Sequence, residues 1–140
     1  MTLVAHLRIG TLEITALLAA VAVVAAFPRA GSAAEIAGMQ PMKALLRVVE
    51  YGRERHFEGL CPLTIGRDRS CELVLADAEV SRKHARLESE NGVVYVRDLG
   101  SSNGTFLNEQ RLRGAVELRR GDTIDVGTAR VVVEEVQPWT

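Results

Sequence analysis

Three short polar segments hold most of the residues able to do chemistry. In Ile65-Gly66-Arg67 the guanidinium offers a planar fork suited to a carboxylate or a phosphate. Gly66 lacks the Cβ that would block a tight bend or a close approach. Ser81-Arg82-Lys83-His84 adds a hydroxyl donor and a second cation. Within Asp98-Leu99-Gly100-Ser101-Ser102-Asn103-Gly104-Thr105, Ser102 supplies another hydroxyl and Asn103 an amide that can both donate and accept. Such a set suits a dianionic phosphate attached to a peptide.

Each segment alone has an ordinary explanation. Arg67 would be a solvated surface arginine, Ser81-Arg82-Lys83 an exposed turn, and Ser102-Asn103-Gly104 a tight turn with left-handed residues. His84 would be a structural histidine whose ring nitrogens are satisfied by backbone. The order and spacing together favour loops that converge on one anion. A Ser81, His84, Asp98 hydrolase triad has weak support, because the chain lacks a Gly-x-Ser-x-Gly elbow. His6, His56 and His84 show no metal-ligand spacing with the two cysteines, so neither catalysis, a metal nor a cofactor is expected. Cys61 and Cys71 flank the Ile65-Gly66-Arg67 step and read as small, half-buried apolar residues.

These segments need a rigid support, and the sequence from Lys43 onward supplies a β pattern. Short runs rich in Val, Ile and Leu predict strands at 44–50, 53–57, 63–65, 72–75, 84–89, 93–98, 105–107, 115–118, 123–126 and 130–136. Asn91-Gly92 between two such runs is a type I′ hairpin signal. Arg120-Gly121-Asp122 and Gly127-Thr128 mark further breaks. Alternation points Ala85, Leu87, Ile124 and Val126 to one interior. No stretch here has the spacing of an amphipathic helix. The expectation is an all-β sandwich or barrel over residues 42–137, a short tail at 138–140, and polar groups mounted on its loops.

Residues 1–41 differ in kind and form an N-terminal extension outside the domain. Ile14 to Phe27 is an unbroken small and apolar run, followed by Pro28-Arg29 and the small-residue stretch 30–34. The run is shorter than the roughly 20 residues of a comfortable membrane span. It fits a cleaved signal ending near Ser32-Ala33-Ala34, a short anchor extended back to Ile9, or an upstream sequence before a true start at Met39 or Met42. Balanced flanking basic residues leave topology open.

Composition narrows the partners. The 140 residues carry a formal net charge of -1, with 25% charged and 47% hydrophobic residues. Such a chain has no bulk attraction for nucleic acid or an anionic membrane, so anion binding must arise from a local cluster.

The motifs taken together, Ile65-Gly66-Arg67, Val80-Ser81-Arg82-Lys83-His84-Ala85, Asp98 to Asn108 and Gly121-Asp122-Thr123-Ile124, resemble the forkhead-associated (FHA) domain over about residues 43–136. The resemblance implies a sandwich of about eleven strands that binds phosphothreonine peptides through loops at one end. By motif, Arg67 would contact the phosphopeptide near the phosphate, and Ser81 and Arg82 would bind phosphate oxygens. Ser102 would lie close to the phosphate, and Asn103 would hold the peptide backbone beside the phosphothreonine. Gly66, His84 and Gly104 would shape the loops, with His84 bracing the one that carries Ser81. Phosphorylation adds about -1.5 to -2 charges, so an unmodified threonine forfeits most of the attraction of Arg67 and Arg82. Preference for phosphothreonine over phosphoserine cannot rest on burying a methyl group alone, worth about 0.8 kcal/mol, and implies restriction of the phosphate-bearing rotamer.

The implied role is a phosphothreonine-dependent adaptor in Ser/Thr kinase signalling, bound to a phosphorylated protein such as a kinase or its substrate. The rival is a phosphate-independent scaffold tethered to a membrane through residues 14–27. Kinase signalling favours a cytoplasmic domain, anchored or not, over a secreted one. One departure stands out: the family commonly has Asn-Gly after the Thr105-Phe106-Leu107 strand, whereas Asn108 is followed by Glu109. A non-glycine there predicts a different turn geometry and a carboxylate that repels acidic residues flanking a phosphosite.

Overall fold

The computed structural model describes residues 41–140, so the apolar run 14–27 and its alternative roles lie outside the described residues. Eleven strands follow in order: β1 (Met42–Glu50), β2 (Arg53–Leu60), β3 (Leu63–Gly66), β4 (Leu73–Val74), β5 (Ala85–Glu90), β6 (Val93–Asp98), β7 (Thr105–Leu107), β8 (Gln110–Arg111), β9 (Val116–Glu117), β10 (Thr123–Val126) and β11 (Ala129–Pro138). They form a six-stranded sheet in the order β2-β1-β11-β10-β7-β8 and a five-stranded sheet in the order β4-β3-β5-β6-β9. All pairings are antiparallel except β3 with β4. The described residues contain no helix. The all-β sandwich expected from the sequence is the observed fold.

Period-two alternation builds the core. On β1 the buried side chains are Met42, Ala44, Leu46 and Val48, and on β11 they are Ala129, Val131 and Val133. The opposing sheet contributes Leu63, Ile65, Ala85, Leu87, Val94 and Val96 to the same cluster. Burying a Val, Leu or Ile side chain contributes about 1.5–3 kcal/mol, so the inward rows fix the register of both sheets. The outer face of the β2-β1-β11 ribbon is instead a solvated row of charge pairs, among them Lys43 with Glu58 and Arg47 with Glu54 and Glu134.

Register also decides which loops share an end. Ile65 pairs with Ala85, Ala85 with Asp98, and Thr105 with Val126, which in turn pairs with Ala129. The segments after β3, before β5, between β6 and β7, and between β10 and β11 are therefore neighbours. The three polar segments all lie here.

Two sequence expectations need correction. β8 is absent from the strands that the sequence pattern predicts, because two exposed polar residues, Gln110 and Arg111, carry no apolar alternation; β8 exists through its pairing with β7. The Asn108-Glu109 turn keeps the geometry expected of Asn-Gly: both residues have positive φ, 48° and 69°, and Leu107 pairs with Gln110 across a two-residue hairpin. Asn91-Gly92 is the same kind of turn, with φ of 51° and 75°. At 108–109 the turn is held despite Glu109: Asn108 N donates to Thr123 O, Asn108 Oδ1 accepts from Thr123 N, and Asn108 Nδ2 donates to Asp122. Tertiary bonding overrides the local preference for glycine.

Candidate phosphate-binding loops

Gly66 closes β3 and places the first two segments in contact. A Cβ added to it would lie 2.1 Å from Arg82 O, 2.8 Å from Arg82 C and 2.9 Å from Cys71 Sγ, so only glycine lets the two backbones run this close. Arg67 N then donates to Ser81 O at 3.0 Å and Asp68 N to Arg82 O at 3.1 Å. Arg67 Nε donates to Val80 O at 3.1 Å, which aims the arginine and leaves its terminal N–H groups for solvent or ligand. Cys71 Sγ, free and buried, donates to Arg82 O at 3.2 Å.

His84 is fully buried beneath these loops. Its Nδ1 accepts from Ser81 N at 3.0 Å, and its Nε2 lies 2.9 Å from Gly104 O. A backbone N–H can only donate and a carbonyl only accept, so the partners define the neutral Nε2–H tautomer. One ring thus ties the Ser81 loop to the β6–β7 loop. With both nitrogens occupied by backbone, Ser81, His84 and Asp98 do not form a proton relay.

Two further bonds cross the same gap. Ser102 N donates to Ser81 Oγ at 3.1 Å, and Asn103 Nδ2 donates to Glu79 O at 3.0 Å. Ser81 Oγ, having accepted one hydrogen bond, keeps its own proton to give. Asn103 keeps its second amide hydrogen and its Oδ1, which suits the N–H of an extended peptide. Arg67, Arg82, Ser102 and Asn103 are exposed and Ser81 is half-buried, on three segments joined by the bonds of Arg67 N to Ser81 O, Ser102 N to Ser81 Oγ and Asn103 Nδ2 to Glu79 O. A shallow hollow lined by Asp68, Ser81, Arg82 and Lys83 includes two of the five. Asp68 Oδ1 accepts from Ser70 N, and that bond, with Lys83 and Arg82 nearby, holds its carboxyl below the usual carboxylate range.

Residues without a place among the expected site residues brace these loops. Burial pushes the Asp98 carboxyl up, but hydrogen bonds from Ser101 Oγ, Thr105 Oγ1, Ser101 N and Gly100 N outweigh it and hold it below its ordinary range. Asp77 is likewise lowered, first by the Thr128 hydroxyl and then by the backbone N–H groups of Glu79 and Thr128. Glu50 accepts from Ala76 N at 2.6 Å and Asp77 N at 3.0 Å. Asp98 beside Ser101 is visible in sequence as an Asx-type turn. The pairings of Asp77 with Thr128 and of Glu50 with Ala76 link distant positions and have no local signal.

Two cations and several hydroxyl and amide donors are held by cross-linked loops at one end of a β-sandwich, a donor set whose chemistry suits an anion. The FHA domain family model matches residues 63–127. The chain is 40% identical over 73 residues to the FHA domain-containing protein FhaB of Mycolicibacterium smegmatis, covering 52% of this chain and 46% of that protein. It is 35% identical over 108 residues to the glycogen accumulation regulator GarA of the same organism, covering 74% of this chain and 68% of that protein. A solved structure concerned with phosphothreonine-dependent FHA domain interactions superposes with a TM-score of 0.58 at 26% identity, covering 71% of this chain and 98% of that one. The chain belongs to the FHA domain family. Its match spans about half the length of FhaB.

Proposed function

We propose that this protein is a phosphothreonine-dependent peptide-binding adaptor in Ser/Thr kinase signalling. The observation that carries this is the cross-linking of the loops that bear Arg67, Ser81, Arg82, Ser102 and Asn103, through Ser102 N to Ser81 Oγ, Asn103 Nδ2 to Glu79 O and Arg67 N to Ser81 O. The phosphorylated side chain enters between Arg67 and Arg82, and its oxygens accept from both guanidinium groups and from the hydroxyls of Ser81 and Ser102. Charge-assisted hydrogen bonds of this kind contribute about 1.5–3 kcal/mol each, and the neutral threonine forfeits them. Asn103 holds the adjacent peptide backbone through its remaining amide groups.

Pre-organisation supports the same reading. His84, Asp98 and Asp77 tie the loops together through hydrogen bonds within the chain, so little ordering entropy is lost on binding. The partner is a protein carrying phosphothreonine, a kinase or its substrate, and the domain works on the cytoplasmic side, either with residues 14–27 as a membrane anchor or in a chain whose true start is Met39 or Met42. Mass spectrometry of the native N-terminus tests that location: a chain beginning at Glu35 would indicate secretion and contradict it.

A degenerate phosphothreonine peptide library tests the binding itself. Immobilised protein retains the phosphorylated library and releases it after phosphatase treatment. Equal retention of both would favour a phosphate-independent scaffold.

A further inference from the structure

Arg111 lies outside the five residues assigned to the phosphopeptide but rests against the loop that carries two of them. β8 is an edge strand whose register on β7 sets Arg111 opposite Phe106, and Leu112 N donates to Thr105 O at 2.9 Å. From there the guanidinium reaches back over Gly104: a Cβ at Gly104 would lie 2.9 Å from Arg111 Nε, 3.2 Å from Cζ and 3.3 Å from Nη2. Gly104 therefore admits the arginine as well as adopting its φ of 85°. Asn103, the residue assigned to the peptide backbone, immediately precedes it.

Arg111 is exposed and makes no ion pair or side-chain hydrogen bond among the described residues. The nearby acids are engaged elsewhere. Asp98 accepts from Gly100, Ser101 and Thr105, and Asp125 pairs with Arg130. Glu109 lines a hollow with Arg130. Gly104 O is occupied by His84 Nε2. What remains is an uncompensated fork of donors at the rim of the peptide-binding face.

We propose that Arg111 is a specificity-determining residue that pairs with an acidic side chain of the phosphopeptide, flanking the phosphothreonine on the side held by Asn103. This inference rests on the phosphopeptide reading above. An aspartate or glutamate meets the planar fork with two parallel hydrogen bonds, which a neutral side chain cannot do. Arg111 thus offsets any repulsion of acidic flanks by Glu109, which lines a hollow together with Asp125 and Arg130.

Fluorescence anisotropy with synthetic phosphothreonine peptides tests this. The parent carries alanine at every flanking position, and a series places one aspartate at each flanking position in turn. Wild-type protein should gain about fivefold in affinity at one position, the scale of a partly solvated ion pair. Arg111→Gln should lose that gain while binding the alanine-flanked parent as wild type does, and Arg111→Lys should keep part of it. The proposal is overturned if aspartate helps nowhere, if the gain survives in Arg111→Gln, or if that variant weakens the parent equally. When the parent binds, these outcomes bear on Arg111 alone; when no phosphothreonine peptide binds, the phosphopeptide reading falls and this inference with it.

Discussion

Individual residues carry separable duties in this domain. Ser81 links two loops through Oγ and retains a proton to donate, while Arg67 is aimed by Val80 O. Arg67→Ala or Ser81→Ala should leave the melting curve close to wild type and weaken phosphopeptide binding by about 1 kcal/mol or more. Calorimetry on both variants checks this, and unchanged affinity in both would remove these residues from the site. Glu109 sits at φ 69°, a conformation that disfavours a residue with a Cβ. Glu109→Gly should raise stability by about 0.5–1 kcal/mol in urea unfolding, without altering the Asn108 bonds that hold the hairpin. Cys61 is buried and its thiol is pushed up to about 11 by that burial. At pH 8 it should react with iodoacetamide far more slowly than an exposed thiol, read by mass spectrometry under native conditions.

At the scale of elements, strands position the site and loops are locked to one another by backbone contacts. Gly66→Ala would press a Cβ to 2.1 Å from Arg82 O, against backbone that cannot rotate away. The variant should fold with a loss of about 1–3 kcal/mol, and phosphopeptide binding should fall further than for any single contact residue, since Ser81 and Arg82 move together. Paired unfolding and binding curves measure the two effects. The strands with alternating apolar residues, β1, β5, β6, β10 and β11, are legible in sequence because one face must be buried. β8 and the exact extents of β4 and β9 are not, because their ends are set by tertiary bonds such as Leu75 N to Gly66 O and Leu118 N to Val94 O. The polar segments were legible as types and order. Their bracing by Glu50, Asp77 and Thr128 was not, since those contacts join residues far apart in the chain.

For the whole molecule, protonation of ligand and protein should separate as pH falls. The carboxyls of Asp98 and Asp77 titrate lower in the folded state than in the unfolded chain. Their stabilising contribution is therefore fully present above the ordinary carboxylate pKa, about 3.9, and is lost as pH falls through the depressed folded values. The phosphate loses its second charge near pH 6, about two units higher. Binding should weaken between roughly pH 6 and 4.5 while circular dichroism stays native, and unfolding should follow only at lower pH. Loss of fold and binding in one step would show that the loops depend on a different titrating group. The central claim is dependence on a phosphate carried by threonine. Isothermal titration of the protein with matched threonine, phosphoserine and phosphothreonine peptides tests it most directly. Saturable binding should appear for phosphothreonine, weaken for phosphoserine and vanish for unmodified threonine; equal affinity for modified and unmodified peptides would contradict it.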